Sequence, residues 1–245
     1  MNNEQKEKSL IAFTDGSSLG NPGPGGYGAL IISAHLDECI ELGGAKPHTT
    51  NNEMELTAIV SVLSYAMNNT QPLHIFTDSQ YAINGITKWM YGWANNSWQK
   101  KDGEEIKNLK TWQTIYDLVH VRKETAPDIT WHHVRGHVGV PGNERVDDIA
   151  RELAEGKNVE MYRGTLTAYP ISDILEIKEV VADAKKKSHK NTKAYSYLSL
   201  IDGVVMRHQT WAECEARVKG HNAKFKKAVS AEHEQEILDE WNVTL

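Results

Sequence analysis

Two hydrophobic periods follow one another along this chain, and the switch between them marks its elements. Three β-rich runs come first, about Leu10 to Ser17, Tyr27 to Ala34 and Cys39 to Leu42, joined by turn residues as in an antiparallel meander. The period then lengthens. After Thr49-Thr50-Asn51-Asn52, which offers several N-caps, Met54, Leu56, Ala58, Ile59, Val62, Leu63, Tyr65 and Ala66 recur at helical spacing as far as Asn68-Asn69. A strand from Leu73 to Thr77 leads through Asp78 to Ser79, which caps a helix through Ile83, Ile86 and Trp89. A polar, aromatic-rich excursion lies between Trp89 and Trp112, overlapping a helix of roughly Leu109 to Val121. The strand Asp128 to His133 and the Gly-rich loop Val134 to Gly142 then deliver the chain to a helix beginning near Asn143. Three strands followed by strand-helix alternation predict an α/β fold, a mixed sheet covered by helices.

Past Gly156 the pattern weakens. Residues 157 to 170 read as linker, and Ile171 to Lys187 as a helix with Ile174, Leu175, Ile177, Val180 and Val181 on one side. A small domain begins near Asn191, with a strand Tyr195 to Leu200, a hairpin candidate Asp202-Gly203, a helix Thr210 to Lys219 and a final stripe of Ile237, Leu238 and Trp241. The expected division is therefore 1–155, a linker with a helix over 156–190, and 191–245.

Composition adds class and compartment. A chain of 245 residues, 40% hydrophobic and 24% charged, is built as a water-soluble protein. No apolar run approaches the roughly 20 residues that span a bilayer, and the polar leader lacks a signal-peptide pattern, so a cytoplasmic protein without membrane partners is expected. Cys39 and Cys214 stand far apart with no CxxC, which reads as two packed thiols rather than a disulfide or zinc site. The net charge of −6 hides an asymmetry: −9 before residue 185, +8 over residues 185–227 and −5 over residues 228–245. One part carries acids and another is suited to a polyanion.

The candidate chemistry lies with the acids. Asp15 ends one strand in Thr14-Asp15-Gly16-Ser17 and Asp78 ends another in Thr77-Asp78-Ser79, which places two carboxylates to share a divalent cation. Glu53 and Glu55 lie about 200° apart around a helix, so only one of them can face the strand ends. A fourth acid is expected from Asn143-Glu144-Arg145-Val146-Asp147-Asp148, where the apolar positions do not choose between Asp147 and Asp148.

Thr14-Asp15-Gly16-Ser17, Gly20-Asn21-Pro22-Gly23, Thr49-Thr50-Asn51-Asn52 with Met54-Glu55-Leu56, Thr77-Asp78-Ser79-Gln80-Tyr81, Gly136-His137 and Asn143-Glu144-Arg145 with Asp147 form an ordered set. It resembles the signature of type 1 ribonuclease H over roughly residues 9–155. The resemblance implies a five-stranded mixed sheet flanked by helices. It puts the catalytic, metal-binding acids at Asp15, Glu55, Asp78 and Asp147, leaving Glu53 and Asp148 without a chemical role. Four carboxylates suit two Mg2+ ions, with Mn2+ able to substitute, because two close divalent ions and a phosphate need that charge. His137 is implied to assist proton transfer or product release, whereas His132 and His133 are read as structural. Asn21, Asn51 and Gln80 match minor-groove contacts that sense 2′-hydroxyls, Thr50 and Asn108 a DNA-phosphate pocket, and Trp89 and Trp93 aromatics of the DNA channel. Where relatives with an extended handle carry a basic cluster, this chain has Ala94-Asn95-Asn96, so its acidic domain is expected to bind hybrid weakly by itself.

The tail has its own likeness. Thr210-Trp211-Ala212-Glu213-Cys214 and Ala223-Lys224-Phe225-Lys226-Lys227 resemble the small hybrid-binding domain that many type 1 enzymes carry at the N-terminus; here it lies at the C-terminus. The resemblance implies an α/β module in which Trp211 and Phe225 stack on DNA while Lys226 and Lys227 take phosphates, with Tyr195 or Tyr197 a further candidate. The function implied is a monomeric endonuclease cleaving the RNA strand of RNA/DNA hybrids into 5′-phosphate and 3′-hydroxyl ends. The competing class is a catalytically silent hybrid-binding protein on the same fold.

Overall fold

The computed structural model describes residues 3–100, 102–127, 129–134, 139–176, 194–201, 203–221, 223–241 and 243. The chain divides into two compact units, Met1–Val180 and Val181–Leu245.

In the first unit the order is α1 (Asn3–Lys8), β1 (Leu10–Ser18), β2 (Gly23–Ser33), β3 (Glu38–Thr49), α2 (Asn51–Tyr65), β4 (Leu73–Thr77), α3 (Gln80–Asn84), α4 (Met90–Asn95), α5 (Leu109–Thr125), β5 (Ile129–His133), α6 (Pro141–Ala154) and β6 (Arg163–Thr165). The strands form one mixed sheet in the order β5-β4-β1-β2-β3-β6. β1, β2 and β3 pair antiparallel, as do β3 and β6, whereas β1-β4 and β4-β5 are parallel. Strand β1 lies between neighbours on both sides and has helices over both faces. This is why Leu10, Ile11, Ala12 and Phe13 run as an unbroken apolar stretch, all fully buried.

Helices α2 and α5 cover one face, joining Leu56, Ile59, Leu63, Trp112 and Ile115 to Leu10, Ala12 and Ile75 of the sheet. Along α5 the buried stripe Trp112, Ile115, Val119 ends in a buried Arg122, whose guanidinium donates to the carbonyls of Ala66, Asn69 and Gln71 after α2. Helix α6 covers the other face and rests on glycines. A Cβ at Gly28 would lie 3.0 Å from Cβ of Ile149, and one at Gly26 would lie 2.7 Å from Cβ of Leu153. Bare backbone on β2 therefore lets α6 lie close to the sheet.

The sheet has six strands rather than the five expected. Strand β6 falls in the stretch read as linker, and its three exposed residues have no hydrophobic pattern to betray them. Backbone pairing with Glu38–Ile40 fixes it, and Asp37 accepts from the backbone N–H and hydroxyl of Thr167 at 2.9 and 3.0 Å. Tyr169 and Ile174 are buried in the same core as Ile11, Phe13, Leu30 and Val146, so residues 163–176 are part of the first unit. Residues 171–176 form turns where a helix was expected, and 177–187 lie outside the described residues.

The second unit contains β7 (Ser196–Ile201), β8 (Val204–His208), α7 (Trp211–Val218), β9 (Lys224–Ala228) and α8 (Ala231–Trp241), with an antiparallel sheet ordered β8-β7-β9. Thr210 and Glu213 form a reciprocal capping box that starts α7. Its small core joins Leu198 and Ala228 to Ile237 and Leu238.

Candidate active site

Parallel pairing of β1 with β4, in the register Leu10 to Leu73 through Thr14 to Thr77, stops where β4 ends, while β1, expected to end at Asp15, runs on beside β2 to Ser18. Asp15 and Asp78 follow the last paired threonines and stand side by side there. Gly16 decides how the third acid arrives. A Cβ on it would sit 2.8 Å from Cα of Glu55 and collide with the backbone of Met54 and Glu55, so only glycine lets α2 cross the strand at this point. Glu55 is thereby buried beside the strand ends, where it accepts from Ser79 Oγ and, at 2.9 Å, from Asn51 Nδ2. Asp147 comes from α6, which packs on β1, β2 and β3.

The electrostatics report how close these groups are. The Asp15 carboxyl is raised from 3.8 to about 8, first by burial and then by Asp78; the Gly16 N–H at 2.7 Å pulls against this, and Asp147 and Glu55 add to it. Glu55 is also raised, by burial and by Asp78, against the opposing hydrogen bonds from Ser79 and Asn51.

The residues left ambiguous by periodicity point elsewhere. Glu53 turns to Lys46 Nζ at 2.5 Å and Thr49 Oγ1 at 2.8 Å, and Asp148 pairs with Arg151 on the surface of α6. His137 and its neighbours 135–138 lie outside the described residues. His132 stacks on Phe76 and its ring nitrogen lies 2.9 Å from that of His74, an arrangement within the sheet face. His133, read as structural, puts a ring nitrogen 3.1 Å from the backbone carbonyl of Asp78. The support that Ser79 gives Glu55 was not anticipated, because a serine after a strand reads first as an N-cap. It is one as well, accepting from Ala82 N–H at 3.1 Å.

Among the described residues no three acidic, histidine or cysteine side chains converge to hold an ion unaided. The donor set is nevertheless what a hard divalent cation takes: four carboxylates, two of them buried, one of which is raised to about 8 by its burial and then by the other acids. A cation whose shell is completed by water and substrate fits such a group.

The other expected contacts fall in two hollows of the first unit and, separately, in the second unit. Asn21, Thr50 and Asn108 line one cleft of about 720 Å³, which runs along the start of α5 past Lys107 and Lys110. Trp89 and Trp93 meet Tyr81 and Lys100 around a second hollow of about 300 Å³, with ring centroids 5.8 Å apart, and Trp93 also packs edge-on to the buried Trp112. Gln80 is exposed at the start of α3, one residue beyond Ser79. In the second unit Trp211 and Phe225 are 41% and 50% exposed with ring centroids 5.5 Å apart, and Tyr197 joins them at 5.8 Å from Trp211. Tyr195 instead lies under the guanidinium of Arg207. Lys226 is exposed and Lys227 half-buried on the same strand as Phe225.

Comparison with known proteins agrees with this geometry. The RNase H family model matches residues 7–155. A ribonuclease H of Bradyrhizobium sp. (strain ORS 278) is 44% identical over 140 residues, covering 57% of this chain and 86% of the relative. One of Rhizobium meliloti (strain 1021) is 40% identical over 148 residues, covering 60% and 92%. Among solved structures, LC9-RNase H1, a type 1 RNase H with the type 2 active-site motif, superposes with a TM-score of 0.55 at 28% identity over 65% of this chain and 79% of that one. A foamy viral protease-reverse transcriptase in complex with RNA/DNA hybrid shares the fold at 19% identity and a TM-score of 0.53, over 62% of this chain and 21% of that one. With a family match over more than half its length and relatives at 40% identity or more over most of their own length, this chain belongs to the ribonuclease H family.

Proposed function

We propose that the chain hydrolyses the RNA strand of RNA/DNA hybrids with two Mg2+ ions, which Mn2+ can replace, leaving 5′-phosphate and 3′-hydroxyl ends. Family membership makes it a ribonuclease H and a divalent-metal-dependent hydrolase. The observation that carries the two-ion reading is a carboxylate, Asp15, that is buried and also faced by Asp78, Asp147 and Glu55; burial first and these neighbours next raise it to about 8, so the site calls for positive charge. When bound, the ions would activate a water for in-line attack and stabilise the leaving 3′-oxygen.

The chain's own residues bind and orient. Asp15, Glu55, Asp78 and Asp147 would hold the ions, with Ser79 and Asn51 fixing the Glu55 carboxylate. His137 would move a proton or assist product release. Asn21, Asn51 and Gln80 would meet 2′-hydroxyls across the minor groove, Thr50 and Asn108 a DNA-strand phosphate, and Trp89 and Trp93 the DNA channel. In the tail, Trp211 and Phe225 would stack on the DNA strand while Lys226 and Lys227 take phosphates, which supplies affinity and processivity to an acidic catalytic unit. No described helix is long and apolar enough to cross a membrane, and a cytoplasmic monomer suits this reading.

Labelled hybrid, double-stranded RNA and double-stranded DNA, each incubated with Mg2+, test the assignment. Cleavage of the RNA strand of hybrid alone, abolished in Asp78→Asn, is expected. Cleavage of duplex DNA, or an active Asp78→Asn, would overturn it.

A further inference from the structure

One buried carboxylate lies apart from the acid cluster. Glu41 projects from β3 towards α6 with its side chain 1% exposed. Four donors converge on it. Oε1 accepts from Arg145 Nε at 2.7 Å and the Tyr169 hydroxyl at 2.6 Å; Oε2 accepts from Arg145 Nη2 and the Tyr162 backbone N–H, both at 2.9 Å. Two donors come from α6 and two from the segment that follows it. That segment lies beyond residue 155, where the family match ends.

Its position bears on Asp147. Arg145 and Asp147 are two residues apart, about 200° around the helix, so they flank it on opposite sides. Arg145 leans to the β3 flank, where Glu41 lies, and Asp147 to the flank of β1 and Asp15. Beneath the helix the sheet offers Gly26, Gly28 and Gly43, which permit close approach, with the Phe13 ring under Gly142 at the start of the helix. Beside the Glu41-Arg145 pair lies a hollow of about 500 Å³ bordered by Met161, Tyr162, Pro170 and Ile171, while Tyr169 and Ile174 of the same segment share an apolar cluster with Val146 of α6. At a side-chain radius of about 5–6 Å, a roll of about 10° displaces a carboxylate by roughly 1 Å. A misplacement of that size can cost on the order of a hundredfold in rate. A bidentate arginine fork is directional where apolar contact is not.

We propose that residues 160–176 act as a strap that fixes the roll of α6 through Glu41 and Arg145, which makes Glu41, Arg145 and Tyr169 positioning residues for Asp147. The inference rests on the metal-binding role given to Asp147 above. Glu41→Gln keeps the shape and removes the charge, Arg145→Lys keeps the charge and removes the fork, and Tyr169→Phe removes one donor and is the mildest change. Each is made in the full chain and measured well below its own unfolding midpoint. Hybrid cleavage gives kcat and KM, and Mn2+ affinity without substrate is read from the paramagnetic resonance signal of free Mn2+.

For Glu41→Gln the expected result is a fall in kcat of about 30- to 100-fold with KM changed by less than about twofold. Mn2+ binding should weaken several-fold. Tyr169→Phe should shift kcat and Mn2+ affinity in the same direction by less, and Arg145→Lys should lie between the two. Lower unfolding midpoints with kcat and Mn2+ affinity unchanged would overturn the proposal, as would a rise in KM at constant kcat. Should the native chain fail to cleave hybrid, the function proposed above fails, while the Mn2+ affinities of the variants still decide the strap.

Discussion

Gly16 lies directly beneath the backbone of Glu55, close enough that a methyl group on it would meet Cα of Glu55 at 2.8 Å. A turn of helix thus rests on a strand with no side chain between them, and the depth of that contact sets how near Glu55 comes to Asp15. Gly16→Ala should push α2 outward, because the opposing atoms are backbone and cannot rotate away. A stability loss of about 1–3 kcal/mol is expected from overpacking of this kind. The loss of cleavage should be larger than stability explains, at least about a hundredfold. Thermal unfolding and initial rates on hybrid, measured below the variant's midpoint, check both. A fully active variant would show that Glu55 does not depend on this contact.

The acid cluster makes the metal-free protein sensitive to alkali in a defined direction. Because the folded Asp15 carboxyl titrates near 8 instead of 3.8, the folded chain holds a proton that the unfolded chain releases. The stability Asp15 contributes is fully present below the lower value and is lost as pH rises through the upper one. In chelator, the unfolding midpoint should therefore fall between about pH 4 and 8 from this source. Asp15→Asn should raise the midpoint at neutral pH, flatten that slope and abolish cleavage, while Mg2+ should stabilise the native chain more than the variant. Identical pH profiles for the two chains would contradict the crowding.

Arg122 sends its charge into three carbonyls and is 1% exposed. Arg122→Met removes donors from Ala66, Asn69 and Gln71 together, so a loss of about 3–5 kcal/mol is expected, as for breaking other buried charged networks. The three carbonyls follow the C-terminal end of α2 and Arg122 stands in the last turn of α5, so they lie at the far ends of both helices from Thr50 and Asn108. KM for hybrid should therefore stay within about twofold at low temperature even as chemical denaturation shifts to lower denaturant. A change in KM without a change in stability would mean that Arg122 contacts substrate.

In the second unit the Trp211-Phe225 pair is exposed, and its removal should leave the Leu198-Ile237 core intact. Trp211→Ala and Phe225→Ala should each weaken hybrid binding by about 1–3 kcal/mol, the usual worth of stacking on a base. Replacing Lys226 or Lys227 should instead lower the salt dependence of binding by roughly one phosphate contact. Fluorescence anisotropy over a salt series separates the two effects. Unchanged binding in all four variants would remove the tail from hybrid recognition.

Much of this was legible before folding, for reasons that differ by element. The apolar run Leu10–Phe13 announces a central strand because both its faces need covering. The stripe Met54 to Leu63 announces a covering helix because one face of it must be buried. Asp78 could be placed at a strand end because it follows such a run; Asp15 follows one too, but β1 continues past it to Ser18 through pairing with the glycine-rich β2, which no apolar pattern shows. Strand β6 and the buried Tyr169 could not be placed, since three exposed residues and one isolated tyrosine carry no period.

By itself, then, the sequence determined which segments bury themselves, which acids lie at the ends of those segments, and, through an ordered set of motifs, the family to which they belong. The same motifs, though not the periodicity, chose Glu55 over Glu53 and Asp147 over Asp148; only the tertiary structure decided that Glu53 turns to Lys46, that Asp148 pairs with Arg151, and that Glu41 gathers α6 and the strap around one buried charge. The physical reason is range. Periodicity records whether a residue meets water or core along its own element, whereas these choices depend on the distance and angle between elements far apart in the chain, set by glycine contacts and directional hydrogen bonds that leave no repeat in the sequence.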